Sequence, residues 1–370
     1  MIDVKKDICF VIHSLQAGGM ERVMSELLNY FAASNRYHVH LVLYGIKRDV
    51  FYDISSEITI HRPSFAFDNS NRILSTIKTN FFLRNTISKI NPVAALSFGE
   101  RWNNMVLLAL LWTNVPIFVS DRSQPDKSLG KLHDALRKLL YPKAKGVIVQ
   151  TEKALQIYRK MYAHSNFRVI GNPIRPIPSL PIMRENYILM VGRYIKSKQQ
   201  DVLIEIFSKL DAPDWKLVLV GYDHLKQSNQ AAWETLAKKL NVSDRVVFAG
   251  KQSEVERYYL SSKIFAFSSA SEGFPNVVGE AMSAALPVVS FDCIAGPSDL
   301  VKDGENGFLI PLNDSEMFIQ KLQLLIDDHG LRDEMAKKSK VLIQKFQLNY
   351  ICSQFESFLI SSLVTEKYEQ

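Results

Sequence analysis

Ser271-Glu272-Gly273-Phe274-Pro275-Asn276-Val277-Val278-Gly279-Glu280-Ala281 is the stretch on which the reading of this chain turns. It follows an apolar, β-like run at 264–268 and opens a helix-like run at 276–285. Strand, loop and helix in that order place Glu272 on the loop and Glu280 on the first turns of the helix. Pro275 suits a first helical turn, where its missing N–H would have no partner anyway. A helix N-terminus attracts anions, so two carboxylates beside one point to a ligand with both phosphates and hydroxyls, such as a nucleotide sugar. A plainer reading stands next to it: Glu272 solvated, and Glu280 complementing the helix dipole.

Outward from this stretch, short β-branched runs alternate with longer amphipathic ones, the pattern of parallel sheets with crossover helices. In the first half, 8–13, 39–44, 94–98, 117–120 and 146–150 read as strands. Residues 21–32 read as a helix with Val23, Met24, Leu27, Leu28 and Phe31 on its apolar face. Pro173, Pro176, Pro178 and Pro181 interrupt the pattern, so 171–181 reads as a stiff, extended linker. Beyond it, 187–191, 216–220, 246–248, 264–268 and 287–291 read as strands again. The expected class is α/β, with an N-terminal Rossmann-like domain over 1–172 and a C-terminal one over 173–348. A tail, 349–370, carries a helix over about 349–364 that is long enough to return to the first domain. Ligands of such sheets bind at the carboxyl ends of the strands, which predicts a cleft between the two domains.

The bulk numbers agree with two soluble domains: 370 residues, 47% hydrophobic and 22% charged. Residues 1–7 mix charges of both signs and do not read as a signal peptide. The longest apolar run, 105–112, falls far short of the roughly 20 residues that cross a bilayer. Cys9, Cys293 and Cys352 stand alone, without metal-ligand or redox spacing, which suggests a reducing cytosol. The net charge of +7 is uneven: residues 1–170 hold 23 Lys and Arg against 13 Asp and Glu, and the remainder 22 against 25. Two segments concentrate the excess, 72–89 with no acid and 127–145 with six basic residues against Asp134, both interleaved with apolar positions. Basic amphipathic helices of this kind lie on anionic membranes, though ordinary surface helices read the same way. No nucleic-acid-binding motif accompanies the charge.

Four loops carry the candidate chemistry, and each follows an expected strand. Gly18 and Gly19 precede the first helix and allow close backbone approach to an anion; they lack the full dinucleotide fingerprint. Gly192, Arg193 and Lys198 follow the first strand of the second domain, where Arg could grip a diphosphate as a fork and Lys as a point charge. The third loop holds Glu272. The fourth, Ala295-Gly296-Pro297-Ser298-Asp299, is another Gly-containing helix start. Each loop by itself also reads as a plain connection or surface charge.

Together they resemble glycosyltransferase family 4, the retaining nucleotide-sugar enzymes of the GT-B fold. The resemblance runs from the Gly18–Gly19 loop through Val149-Gln150-Thr151, Asn172-Pro173 and Arg193 with Lys198. It continues through Glu272 and Glu280 to the stretch 303–309. It implies that Arg193 and Lys198 hold the donor diphosphate and steady the departing nucleotide, with no metal and no other cofactor. In keeping with this, no Asp-x-Asp occurs. It further implies that Glu280 accepts from the ribose hydroxyls and that Glu272 lies near the transferred sugar. Backbone N–H groups after Phe274 would meet the phosphates, which makes Phe274, Pro275 and Asn276 donor-binding positions. Transfer would proceed by front-face displacement, so the two glutamates are not a glycosidase pair.

One departure stands out. Many members carry a His in the loop after the fourth strand of the first domain. Here that loop reads Val119-Ser120-Asp121-Arg122-Ser123-Gln124-Pro125, so Asp121 or Arg122 would replace it. Glu100 and Asn103, after another strand, fall on the acceptor side, and His13 at the end of the first strand reads as structural. The expected partners are a UDP- or GDP-type nucleotide sugar, a lipid-linked glycan and an anionic membrane surface, with no nucleic acid. The expected place is the cytoplasm, peripherally on the inner face of the plasma membrane. Two other readings stay open: an epimerase or phosphorylase on the same fold, or an inactive glycan- or membrane-binding subunit.

Overall fold

In the computed structural model the chain is described over residues 4–46, 49–223 and 227–361. Met1 to Asp3 of the N-terminal stretch, and 362–364 of the expected tail helix, lie outside the described residues. The chain divides into two compact units. The first runs to Pro173 and includes the final helix; the second comprises Ile174–Gln347.

The first unit starts with β1 (Lys6–Ile12), α1 (Gly19–Ala33), β2 (Tyr37–Leu43), β3 (Thr59–His61) and α2 (Arg72–Ile90). There follow β4 (Ala94–Phe98), α3 (Glu100–Ala109), β5 (Ile117–Ser120), α4 (Lys131–Leu140), β6 (Gly146–Val149), α5 (Glu152–Met161) and β7 (Phe167–Val169). The strands form one parallel sheet in the order β3-β2-β1-β4-β5-β6-β7. Ile8 to Ile12 of β1 are wholly buried, as a central parallel strand covered on both faces requires. The edge strands β3 and β7 went unread in the sequence. Each has three residues, none of them fully buried, which is too short for a periodic signal.

The second unit holds β8 (Tyr187–Val191), α6 (Gln200–Ser208), β9 (Lys216–Val220), α7 (Asn229–Lys239), β10 (Val246–Gly250) and α8 (Val255–Ser261). It continues with β11 (Ile264–Phe267), α9 (Asn276–Ser283), β12 (Val288–Phe291), α10 (Pro297–Leu300), β13 (Gly307–Ile310), α11 (Ser315–Asp327) and α12 (His329–Leu342). Its parallel sheet has the order β10-β9-β8-β11-β12-β13. β13 was missed, because the turn at Asp303 to Asn306 masked the strand that it feeds.

The proline-rich segment is not a free spacer. The Ile174 N–H donates to the Phe346 carbonyl (2.8 Å) and the Ile177 N–H to Ser283 Oγ (2.9 Å), so it lies docked on the second unit. The last helix, α13 (Leu348–Ser361), packs on the first unit. Its Glu356 accepts from Tyr37 Oη (2.7 Å) and Arg36 (2.8 Å), and the Phe358 ring lies edge-on to Phe118. Phe358 also presses on Gly146, where a Cβ would come within 2.6 Å of the ring, so this close approach requires glycine.

Across three neighbouring strands, Asp7, His40 and His61 form a chain: His40 Nε2 lies 2.9 Å from Asp7 and His40 Nδ1 lies 3.0 Å from His61 Nε2. Burial, then the neighbouring His40, holds His61 below its ordinary value, so the folded state favours the neutral ring. An unfolded His titrates near about 6.5; the stabilisation is therefore complete above that pH and lost as pH falls through the lower folded value. The drop in melting temperature between about pH 7 and pH 5 is expected to be smaller in His61→Gln than in wild type, by scanning calorimetry. Equal drops would clear His61 of the effect.

Candidate functional site

In the second sheet the strand order reverses between β8 and β11, so the connections leaving those two strands diverge and open a crevice at their carboxyl ends. The loops with the candidate residues leave these two strands. Buried serines stitch them together. Ser268 Oγ lies 2.9 Å from the carbonyl oxygens of both Lys198 and Gln199, and the Ala270 N–H donates to the Ser197 carbonyl at 2.8 Å. Gln200 Nε2 donates to the Arg193 carbonyl (2.9 Å), tying the first of these loops to α6.

With the loops joined, Lys198 Nζ forms an ion pair with the Glu272 carboxylate, and both side chains are largely buried. The ammonium also lies 5.6 Å from the Phe267 ring centroid. Arg193, at the end of β8, is exposed. Glu280 turns to a different neighbour: Tyr259 Oη, on α8, donates to it at 2.9 Å. Tyr259 is 1% exposed, and burial followed by the Glu280 charge raises its hydroxyl well above the ordinary value, so it remains a neutral donor. Arg193, Lys198, Glu272 and Glu280 are thus all carried by the second unit. Tyr259, Ser268 and Ser269 were not singled out in the sequence, since one Tyr in a short helix and a serine pair carry no spacing signal.

Three features of the Glu272 loop differ from expectation. Pro275 occupies the N-cap of α9 rather than its first turn. The Asn276 N–H, expected to meet phosphate, donates to the Phe274 carbonyl at 3.0 Å. Phe274 is buried against Phe346, with ring centroids 5.7 Å apart, and serves packing. The fourth loop presses on the third: at Gly296, with φ +108°, a Cβ would fall 2.2 Å from Pro275 Cδ. Gly192 is under no such demand, since a Cβ there would meet the Lys198 stem at 3.9 Å. The glycine that packing requires beside it is Gly221, whose Cβ would fall 1.9 Å from the Gly192 carbonyl oxygen.

In the first unit Gly18 caps α1 and Gly19 is its first residue. The Gly18 N–H donates to Tyr52 Oη (2.9 Å), which in turn donates to the Gly18 carbonyl (2.7 Å). The Glu21 carboxylate folds over Gly18, where a Cβ would lie 2.2 Å from Oε2. The helix start expected to receive an anion therefore carries a carboxylate of its own, raised above its ordinary value by burial.

The acceptor-side residues receive a different task. Asp121 and Asn103 are 3% and 0% exposed. Asp121 accepts from Asn103 (2.8 Å) and Tyr141 Oη (2.6 Å) at Oδ1, and from Arg137 (2.6 Å) and Tyr158 Oη at Oδ2, all inside the unit. Neither side chain reaches a surface where a sugar could meet it. Arg137, read as one of the surface cations, is buried in this cluster. Glu100 accepts from the N–H groups of Arg122 (2.6 Å) and Ser123 (2.5 Å), and burial, then Asp121, raises its pKa. Arg122 lies 4.0 Å over the Phe98 ring and donates to Asn172 Oδ1 (2.8 Å), while Nε and Nη2 are buried without a partner. Burial pushes its pKa down to about 9. The loop that lacks the family's His also follows β5, not a fourth strand, because β3 precedes it. His13 stacks on Trp102 at 3.8 Å.

Residues 177–341 match the family model of the glycosyl transferases group 1. An uncharacterized glycosyltransferase of Haemophilus influenzae is 27% identical over 96% of this chain and 100% of its own length. An N-acetylgalactosamine-N,N'-diacetylbacillosaminyl-diphospho-undecaprenol 4-alpha-N-acetylgalactosaminyltransferase of Campylobacter jejuni is 27% identical over 90% of this chain and 94% of its own. Among solved structures, Anabaena Alr3699/HepE in complex with UDP superposes with a TM-score of 0.80 at 18% identity, covering 96% of this chain and 100% of that one. The sucrose-phosphate synthase of Thermosynechococcus elongatus gives 0.80 at 18%, covering 98% and 100%. These likenesses give the two α/β units the GT-B fold.

The two glycines offer a paired test of the loop geometry. Gly296→Ala is expected to lower unfolding stability by about 1–3 kcal/mol, from its positive φ and the Pro275 contact. Gly192→Ala should stay within about 1 kcal/mol of wild type in urea unfolding. Equal losses would mean that the two loops do not press together as described.

Proposed function

From the match of residues 177–341 to the family model of the glycosyl transferases group 1, we propose that the chain is a retaining, metal-independent enzyme of the family 4 type. It moves a sugar from a UDP- or GDP-type donor to a lipid-linked oligosaccharide during assembly of an exopolysaccharide, capsule or O-antigen. One observation carries the reading: Lys198 and Glu272 are held together where the strand order reverses, with Arg193 at the end of the same β8 and Glu280 anchored on α9.

The donor diphosphate is held by Arg193, through a fork of N–H groups, and by the Lys198 ammonium. Both charges stabilise the negative charge that builds on the departing nucleoside diphosphate. Glu272 keeps the Lys198 ammonium at the crevice before the donor arrives and lies beside the transferred sugar. Glu280, fixed by Tyr259, accepts from the ribose hydroxyls. A donor phosphate oxygen takes the proton of the attacking acceptor hydroxyl, so neither glutamate acts as a nucleophile.

The lipid-linked acceptor is supported by what relatives act on, as the name of the Campylobacter jejuni enzyme states, and by the cationic excess over residues 1–170. The same excess supports a peripheral position on an anionic membrane at the cytoplasmic face. Among the described residues no helix is long and apolar enough to cross a membrane.

A hydrolysis and transfer screen over UDP-, GDP- and ADP-sugars, with a lipid-linked acceptor extract, tests the reaction. Folded protein with no turnover on any donor would end the proposal. Arg193→Ala is expected to lower kcat by about 100-fold to 1,000-fold. Glu280→Ala should weaken nucleotide binding by about 10-fold to 100-fold. Tyr259→Phe should raise KM for the donor by about 3-fold to 10-fold with kcat kept, since it removes one hydrogen bond that positions Glu280 without touching the diphosphate. Unchanged kinetics in all three would put the site elsewhere.

A further inference from the structure

α2 is built inside out over its first half. Ser75 and Thr79 point inward and are 5% and 2% exposed, while Ile73, Ile77 and Phe81 are 77%, 46% and 62% exposed. The inward hydroxyls are satisfied locally, Thr79 Oγ1 donating to the Ser75 carbonyl and Ser75 Oγ to that of Asp68. The apolar residues recur at every fourth position and so form one stripe along the outer face. A globular helix facing water has the opposite pattern.

The stripe continues onto α3. Arg84 donates to the carbonyls of Ala109 (3.1 Å) and Leu111 (2.9 Å), which holds the end of α3 against α2. Ile77, Phe81 and Leu108 line a shared cavity of about 310 Å³ with Arg84. Just beyond, Trp112 is 89% exposed in a left-handed backbone conformation (φ +61°). α4 also packs on α3, with Asn104 donating to the His133 carbonyl, and exposes Leu132 and Leu139 beside Lys131 and Lys138.

Charge selects what covers this face. Between Asp68 and Asp121 the only acidic residue is Glu100, and its carboxylate is turned onto the N–H groups of Arg122 and Ser123. Arg72, Lys78, Lys89 and Arg101 are exposed in the same stretch. An apolar stripe rimmed by cations, with its one acid tied inward, matches the boundary of an anionic bilayer, where aromatic and aliphatic groups sink below the headgroups and cations stay level with them. We propose that the outer faces of α2 and α3 insert into an anionic phospholipid surface, Ile73, Ile77, Phe81 and Trp112 entering the acyl region. This deepens the reading above of a lipid-linked acceptor and rests on it.

Flotation of the full chain with vesicles of phosphatidylglycerol or of phosphatidylcholine tests the docking. Wild type is expected to float with the anionic vesicles, less so at high salt, with a blue shift of tryptophan emission that Trp112→Phe removes. Phe81→Glu should cut vesicle binding about tenfold or more, with melting temperature and nucleotide binding unchanged. Equal binding of Phe81→Glu and wild type, equal binding to both vesicle types, or a dimer that Phe81→Glu disperses would each overturn the proposal. Nucleotide binding on the same preparations separates the two readings. Retained nucleotide binding without flotation removes only the docking, whereas flotation without any donor turnover removes the sugar-transfer reading instead.

Discussion

The hydroxyl of Ser268 sits wholly buried between the carbonyls of Lys198 and Gln199, and the geometry of the second unit's crevice depends on it. Two loops leaving neighbouring parallel strands have no ladder hydrogen bonds beyond the strand ends, so their separation must be set by other contacts. Ser268 and the Ala270 N–H supply these, and Gly296 against Pro275 fixes the other side of the Glu272 loop. Glu272 can then reach the Lys198 ammonium without long-range steering. Both side chains are largely buried, so each fixes the position of the other.

The first unit uses its charge in a different way. Its carboxylate at Asp121 is fully committed to Arg137, Asn103 and two tyrosine hydroxyls, an interior network in which every acceptor direction is used. Removing one partner would strand a buried charge, which costs far more than the pair itself contributes. Polar residues thus take up interior positions, at Asp121 and Arg137 as at Ser75 and Thr79, while apolar ones are displayed outward on α2.

Much of this was legible in the chain. The central strands announce themselves as β-branched runs, and the restart after the prolines separates two sheets. The spacing of Glu272 and Glu280, with Arg193 and Lys198 upstream, puts all four on carboxyl-end connections or the helix that follows. What stayed hidden has physical reasons. β3 and β7 span only three residues, below the length at which period two can be seen, and β13 is masked by the turn that feeds it. Asp121 and Asn103 looked like surface polar groups, because burial with partners distant in sequence leaves no local trace. Tyr259 reaches Glu280 from another helix, and Arg137 sits in a basic amphipathic run that gives no hint of its inward turn.

The return of α13 to the first unit bears on the order in which the protein is made. Phe98 and Phe118 lie under this helix, and Gly146 is left bare so that Phe358 can seat there. All three are translated before the second unit begins, whereas α13 leaves the ribosome only after that unit is complete. A nascent first unit thus carries an uncovered aromatic groove throughout synthesis of roughly half the chain, tens of seconds or less at about 5–20 residues per second. The second unit, contiguous in sequence, can close its own core as soon as it emerges, so the part that starts first is the part that finishes last.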